Sequence, residues 1–347
     1  MTITKAYAAL NAKDPLAPFQ IERRELRPHD VQVEILYCGV CHSDIHQARN
    51  EWGDSIYPMV PGHEIVGKIS KVGKDVKKFK VGDIAGVGVM IDSCRACKNC
   101  INLMEQYCVE GMTGTYNTLE RDKKTIAQGG YSSQIVTDER YVYSISSKLD
   151  LKAVAPLLCA GITTYSPLRY AGVTKGMKVA VIGLGGLGHM GVKFAVSFGA
   201  EVTLVSTSLS KQKDAERLGA HKFLLSTDKK QMKNSDSYFD VILNTVSANH
   251  DYEKYLNLLD FNGKMLVVGL PSENPKVSPF ALLKNCRSIT GSMIGGTKET
   301  QEMLDYCADK NIVADVEVIP IQQINEAYER MIKNDVRYRF VIDMSSL

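Results

Sequence analysis

At 347 residues the chain is long enough for two domains with a generous core. Its 42 lysines and arginines against 39 aspartates and glutamates leave a net charge of +3, mixed along the chain without a basic arm or stripe; that removes the electrostatic footprint of a nucleic-acid binder. Met1 to Asp14 is polar and interrupted, unlike a signal peptide, and the most apolar segment, Ala153 to Ile162, is too short to span a bilayer and contains Pro156, so the composition points to a cytoplasmic protein with no membrane partner.

Residues 3–145 are rich in Val, Ile, Tyr and Gly, in short runs between turn residues. Val31 to Tyr37 alternates at period two, as a half-buried strand does, and Ile65 to Val72 and Ile135 to Val142 are similar strand candidates. Glycines at 62, 67, 73, 82, 86 and 88 punctuate this part, which predicts tight turns in a β-barrel-like body. The texture changes near Ala153. Val179 to Ile182 reads as a fully apolar strand, followed by glycines, a helix to about Phe198 and a strand at Glu201 to Ser206. Further strands are predicted at 222–225, 240–244, 264–268 and 288–293, with helices between them, for example one with Tyr252, Tyr255, Leu256 and Leu259 on its apolar face. Strands alternating with amphipathic helices predict a parallel sheet covered on both faces, an α/β fold. Two more helices follow, with apolar faces Thr300, Met303, Leu304, Cys307 and Ile324, Ala327, Tyr328, Met331. The strand-like pieces Val316 to Ile319 and Arg339 to Ile342 resemble the first part, so the chain is expected to return to its first domain. The boundaries drawn are 1–152 with 298–347, and 153–297.

Nine cysteines in a chain with no secretory signal argue against a disulfide framework. Cys94, Cys97, Cys100 and Cys108 fall within fifteen positions, which means metal. Iron–sulfur runs begin with the same C-x₂-C-x₂-C but continue with x₃-C-P, whereas here x₇ precedes the fourth cysteine, so a closed tetrahedral zinc fits better. Its formal charge of −2 is offset, on this reading, by Arg95 and Lys98. A second set is Cys41, in Cys41-His42-Ser43-Asp44-Ile45-His46, with His63 and the distant Cys159. Two thiolates, one neutral imidazole and an open position describe a catalytic zinc, a Lewis acid for an alkoxide or a carbonyl. Cys38, Cys286 and Cys307 are expected to be small buried hydrophobes.

Gly183-Leu184-Gly185-Gly186-Leu187-Gly188 fits G-x-G-x-x-G between an apolar strand and a helix, the context that makes it a dinucleotide turn. The next strand ends Ser206-Thr207-Ser208-Leu209-Ser210-Lys211. There is no carboxylate for the adenosine ribose, while hydroxyls and an ammonium suit a 2′-phosphate, so NADP(H) is expected over NAD(H). The alternative is an ordinary polar turn that caps the next helix.

Gly62-His63-Glu64-Ile65-Val66-Gly67 followed by Gly73 and Val76 resembles the zinc-containing alcohol dehydrogenase signature. Cys159 to Pro167, Gly291 to Gly295 and Asp335 to Val341 resemble stretches of the cinnamyl alcohol dehydrogenase subfamily and its bacterial aldehyde reductases. The resemblance implies a GroES-like catalytic domain from both chain ends and a Rossmann domain from the middle. It implies Cys41, His63 and Cys159 as catalytic zinc ligands, Glu64 as a neighbour exchanging with water on the metal, and Ser43 and His46 as proton-relay positions. Thr163, Val268, Gly269, Ser292, Met293 and Ile294 would lie along the cofactor, and a homodimer would form through the sheet edge near 288–293. Plant lignin-pathway members carry a bulky aromatic where Gly114 aligns here, so a cinnamyl substrate is not implied. The function expected is hydride transfer between NADP(H) and a primary alcohol or aldehyde, working as an aldehyde reductase. The alternatives are a polyol dehydrogenase, disfavoured because such enzymes tend to place a carboxylate at the Cys159 position, and a zinc-module nucleic-acid binder, disfavoured by the charge.

Overall fold

In the computed structural model, which describes residues 2–347, the chain divides into two units, Met1–Ile162 with Gly295–Leu347, and Thr163–Ile294. The boundaries do not fall at the texture changes at 152/153 and 297/298. Residues 153–162 belong with the first unit because their apolar side chains fill its core: Ala153, Val154, Leu157 and Leu158 are buried, and a Cβ on Gly86 would stand 3.0 Å from Leu158.

The first unit is built on a seven-stranded mixed sheet. Its main path runs Val316–Pro320, Arg339–Asp343, Asp30–Gly39, Ile65–Val72, Ile84–Val87, Val142–Ser144, and Gln134–Asp138 also pairs with Asp30–Gly39. The strand Asp30–Gly39 is central because its alternating side chains bury one face: Val31, Val33 and Ile35 are in the core. The C-terminal strands do return to it, Arg339–Asp343 pairing antiparallel through Val341 and Gly39. The run at 135–142 is not one strand. Asp138 accepts from the Arg140 N–H and caps a 3₁₀ turn over Glu139–Tyr141, which separates Gln134–Asp138 from Val142–Ser144.

The second unit holds a six-stranded parallel sheet in the order Lys222–Leu225, Glu201–Ser206, Lys178–Ile182, Phe239–Asn244, Leu259–Val267, Ser288–Gly291. The helix at 252 is shorter than its periodicity suggests: capped by Asp251, it spans Tyr252–Leu256, and Leu259 already begins the next strand. Both C-terminal helices bury the predicted faces, Thr300, Met303, Leu304, Cys307 in Thr297–Lys310 and Ile324, Ala327, Tyr328, Met331 in Ile324–Ile332. Cys38 and Cys307 are buried, but Cys286 is exposed, in a left-handed turn with φ 54°.

Charge separates by unit. The second carries 16 lysines and arginines against 10 aspartates and glutamates, a net +6, which leaves −3 on the first. Among the described residues, no helix is long and apolar enough to cross a membrane.

Candidate functional site

Cys41, His63, Glu64 and Cys159 converge in the first unit, each buried, with one donor atom apiece all within 4.8 Å of one another. Cys41 ends the approach to the helix His42–Ala48 as its N-cap, and Asp44 in the first turn accepts from the Cys41 N–H at 2.8 Å. The same carboxylate accepts from the Gly62 N–H at 3.1 Å and the Tyr131 hydroxyl at 3.2 Å, and lies 3.3 Å from His63 Nδ1. It thereby orients the ring so that Nε2 is the nitrogen left for a ligand. The His63 ring also stacks on Tyr116, with centroids 5.8 Å apart. Cys159 sits between the 3₁₀ turn Ala155–Leu158 and the helix Ala160–Tyr170, its Sγ 3.9 Å from that of Cys41.

That distance tests a metal directly. Two sulfurs at about 2.3 Å from a tetrahedral zinc stand about 3.8 Å apart, so the thiols already span one edge of the tetrahedron. Cys41 is held well below the usual thiol range through its contact with Cys159, against the effect of burial and with help from Arg339 and His63, while the same contact pushes Cys159 up. Burial works against the charged form of His63, but Asp44 outweighs it and raises the ring above its usual range. Glu64 is pushed up to about 7 by burial, although Arg339 opposes this. One Glu64 oxygen binds the buried Arg339 guanidinium; the other, Oε2, has no hydrogen-bond partner among the described residues. A buried orphan carboxylate oxygen beside two thiols and an imidazole fits a cation.

Sequence reasoning missed Asp44 as a functional residue, although it stands inside the quoted stretch, and missed Arg339 and Tyr131. Removing the Asp44 carboxylate tests its role: Asp44→Asn is expected to weaken metal retention at this set about 10–100-fold, the range for outer-shell partners of ligating histidines. Competition with a chelator measures this, and unchanged retention would show that Asp44 only caps the helix. Of the relay positions, Ser43 Oγ lies 3.7 Å from Cys41 Sγ. His46 Nδ1 is 2.5 Å from Glu51 Oε2 and its ring stacks on Trp52. No hydrogen bond among the described residues joins Ser43 to His46 directly. A Cβ on Gly114 would meet Tyr116 O at 3.1 Å and Thr118 at 3.4 Å, so an aromatic there needs those neighbours to shift.

Cys94, Cys97, Cys100 and Cys108 form the second donor set. Cys97 caps the short helix Lys98–Ile101, and Cys108 follows the 3₁₀ turn Glu105–Tyr107. Sulfur separations of 3.8 Å (Cys94 to Cys100) and 3.5 Å (Cys97 to Cys100) again suit tetrahedron edges. Arg95 does not offset the thiolates: it pairs with Asp92 and Asp138, and Lys98 is exposed. Backbone N–H groups do it instead, from Cys94 to Cys108, from Cys97 to Cys94 and from Val109 to Cys97, with Arg121 Nη2 3.5 Å from Cys108 Sγ. The Val109 contact is the main reason Cys97 is pushed down to about 6.

In the second unit Gly183 adopts φ 89°, which only glycine takes without strain. A Cβ on Gly188 would lie 2.1 Å from Gly183 O, so helix and turn pack there only as glycines. A Cβ on Gly185 would meet nothing within 4 Å, leaving the open space an approaching pyrophosphate needs; Leu184, Gly186 and Leu187 complete the turn before the helix Gly188–Ser197. Beyond the strand Glu201–Ser206, Thr207 and Ser208 are exposed, and Ser208 Oγ lies 2.8 Å from Ser210 Oγ. Ser206 Oγ accepts from the Ser208 N–H at 3.2 Å, a local turn bond, whereas Ser208 does not cap the following 3₁₀ turn with its side chain. Val268 and Gly269 N–H groups both donate to Asn244 O, Ser292 N donates to Val267 O, Met293 is exposed, and Thr163 and Ile294 are buried.

Residues 27–147 match the alcohol dehydrogenase GroES-like domain family and residues 186–309 the zinc-binding dehydrogenase family. The chain is 53% identical to NADP-dependent alcohol dehydrogenase C 1 of Mycolicibacterium smegmatis, over 100% of this chain and 99% of that one. It is also 53% identical to aldehyde reductase YahK of Escherichia coli, over 99% of each. Among solved structures it superposes on the cinnamyl alcohol dehydrogenase of Helicobacter pylori complexed with NADP(H), with TM-score 0.93 and 44% identity over 99% of each chain.

Proposed function

The chain belongs to the zinc-binding alcohol dehydrogenase family, with a GroES-like and a Rossmann domain, and from that premise we propose that it is an NADP-dependent alcohol dehydrogenase working as an aldehyde reductase. The carrying observation is the buried donor set Cys41, His63, Cys159 in one chain with a dinucleotide turn whose following strand ends in hydroxyls. When bound, zinc supplies Lewis acidity toward the substrate oxygen and NADPH supplies the hydride.

The residues divide the remaining work. Cys41, His63 and Cys159 would hold the catalytic zinc, with two thiolate charges balancing the metal and Asp44 keeping His63 in one tautomer. Glu64, paired with Arg339, offers its free oxygen to the same centre. Ser43 Oγ, next to Cys41, would deliver the proton to the product oxygen, and His46 would exchange it with solvent. Its Nδ1 faces an acceptor-only carboxylate, so Nε2 is the exchanging nitrogen. Cys94, Cys97, Cys100 and Cys108 would bind a second, structural zinc. Gly183 to Gly188 would seat the pyrophosphate, and Ser206, Thr207, Ser208 and Lys211 the 2′-phosphate. The net charge of +6 on this unit favours capture of a polyanionic cofactor.

A homodimer through the strand Ser288–Gly291, in a cytoplasmic setting, belongs to this reading. That strand is the last in its sheet, and Phe261, Phe280 and Leu283 are each at least 70% exposed. A monomeric mass by sedimentation would refute the dimer.

The test of the function is kcat/KM for aliphatic, aromatic and cinnamyl aldehydes with NADPH and with NADH. Two net hydrogen bonds to the phosphate, at about 1.5–3 kcal/mol each, predict a preference for NADPH of about 10²–10⁴-fold. Ser206→Asp is expected to erode it by repelling the phosphate and restoring a ribose acceptor. Equal kcat/KM for both cofactors in the parent protein would sink the cofactor assignment, and no reduction of any aldehyde would sink the function.

A further inference from the structure

The sheet order of the second unit reverses its direction of growth between Lys178–Ile182 and Phe239–Asn244. In such sheets ligands bind beyond the carboxyl ends of the strands at that point. The segment leaving Phe239–Asn244 there runs from Thr245 to His250, and it touches the glycine turn. Thr245 Oγ1 donates to Ile182 O at 2.7 Å, and a Cβ on Gly183 would stand 2.8 Å from Val246 Cγ2.

His250 closes this segment on itself. Its Nδ1 lies 2.7 Å from Ala248 O. A carbonyl only accepts, so Nδ1 carries the proton, and Nε2, 2.9 Å from Asn244 Nδ2, is the acceptor. Asn244 is fully buried, and its Oδ1 accepts from the Val246 N–H at 3.3 Å. Amide orientation and imidazole tautomer therefore fix each other. The ring packs against Tyr252 and Tyr255, with centroids at 4.8 and 5.8 Å. Beside it, Asn249 Oδ1 accepts from Ser272 Oγ and the Glu273 N–H, which ties the segment to the loop beyond the next strand. No regular secondary structure holds 245–250; beside the backbone bond from the Thr245 N–H to Ile182 O at 3.2 Å, these side-chain bonds supply its order.

We propose that His250 is a positioning residue for the dinucleotide: held as the neutral Nδ1–H tautomer between Ala248 and Asn244, it keeps Thr245–His250 set as a wall beside the glycine turn. The inference rests on the reading of this unit as the NADP(H) site. A wall ordered in advance spares the cofactor the entropy of ordering it on binding, so the loss of His250 falls on cofactor affinity.

The experiment measures NADPH Kd, from the fluorescence of the bound cofactor, on the zinc-loaded full chain. His250→Phe keeps an aromatic ring but removes both hydrogen bonds, and is expected to raise Kd about tenfold, two net bonds' worth. His250→Asn retains a donor for Ala248 O and His250→Gln an acceptor for Asn244, so each should recover part of the loss. These two variants also keep the inference testable should the Phe protein not fold. KM for the aldehyde should move less than twofold, a split that general loosening would not produce. A Kd within twofold of the parent in all three variants, or an equal rise in aldehyde KM, overturns the inference. A parent protein that does not bind NADPH overturns the cofactor reading itself, and the control titration shows which has failed.

Discussion

His63→Ala is expected to lower kcat/KM for aldehyde reduction by about 10³–10⁴-fold while leaving the fold intact. A metal acting as Lewis acid lowers the barrier by several kcal/mol, and each tenfold in rate is about 1.4 kcal/mol. The substitution removes one of three proposed ligands and leaves the buried Asp44 facing a void where His63 Nδ1 stood at 3.3 Å. Asp44 keeps its bonds from the Cys41 and Gly62 N–H groups and from Tyr131, so the surrounding backbone should hold. Zinc analysis should fall from two per chain to one, because the four-cysteine set shares no residue with this one. Turnover within tenfold of the parent would show that the reaction does not run through this centre. One zinc in the parent would refute the two-site reading.

Cys100→Ser is expected to act on stability instead. The lobe it belongs to has little core: Ile101, Leu103, Met104 and Val109 are exposed, and its buried residues are two of the cysteines, Cys100 and Cys108, with the polar Ser93, Glu105 and Gln106. A structural metal is then the principal cohesive element, and losing one ranks with the most destabilising single changes, about 3–5 kcal/mol. For a unit of this size that is a fall in Tm on the order of 10 °C. The effect should spread, because Glu105 accepts from the N–H and hydroxyl of Thr297 at the start of the helix Thr297–Lys310. Differential scanning calorimetry with parallel metal analysis is the check. An unchanged Tm with the zinc content intact would remove the structural role, and a visible-range chromophore in the parent would point to iron.

What could be read from the chain alone was whatever local spacing carries. The cysteines at 94, 97, 100 and 108 are close enough that chain geometry brings them together. The glycine turn needs only its own backbone, and the apolar faces of Thr297–Lys310 and Ile324–Ile332 follow from the 3.6-residue period. Local reading failed where a single side chain reset the backbone, as Asp138 does by breaking the run at 135–142, and at Leu259, whose spacing suits a helix that Asn257 has already ended. Cys41 and Cys159 lie 118 positions apart and meet only because the folded first unit brings them to 3.9 Å. Only the tertiary structure decided the partners of the buried polar groups: Asp44 under His63, Arg339 on Glu64, Arg121 rather than Arg95 beside the thiolates, and His250 on Asn244. A motif records which donors a site needs. Which distant residue satisfies a desolvated carboxylate or imidazole depends on the packing around it, because burial, not sequence spacing, makes that partner necessary.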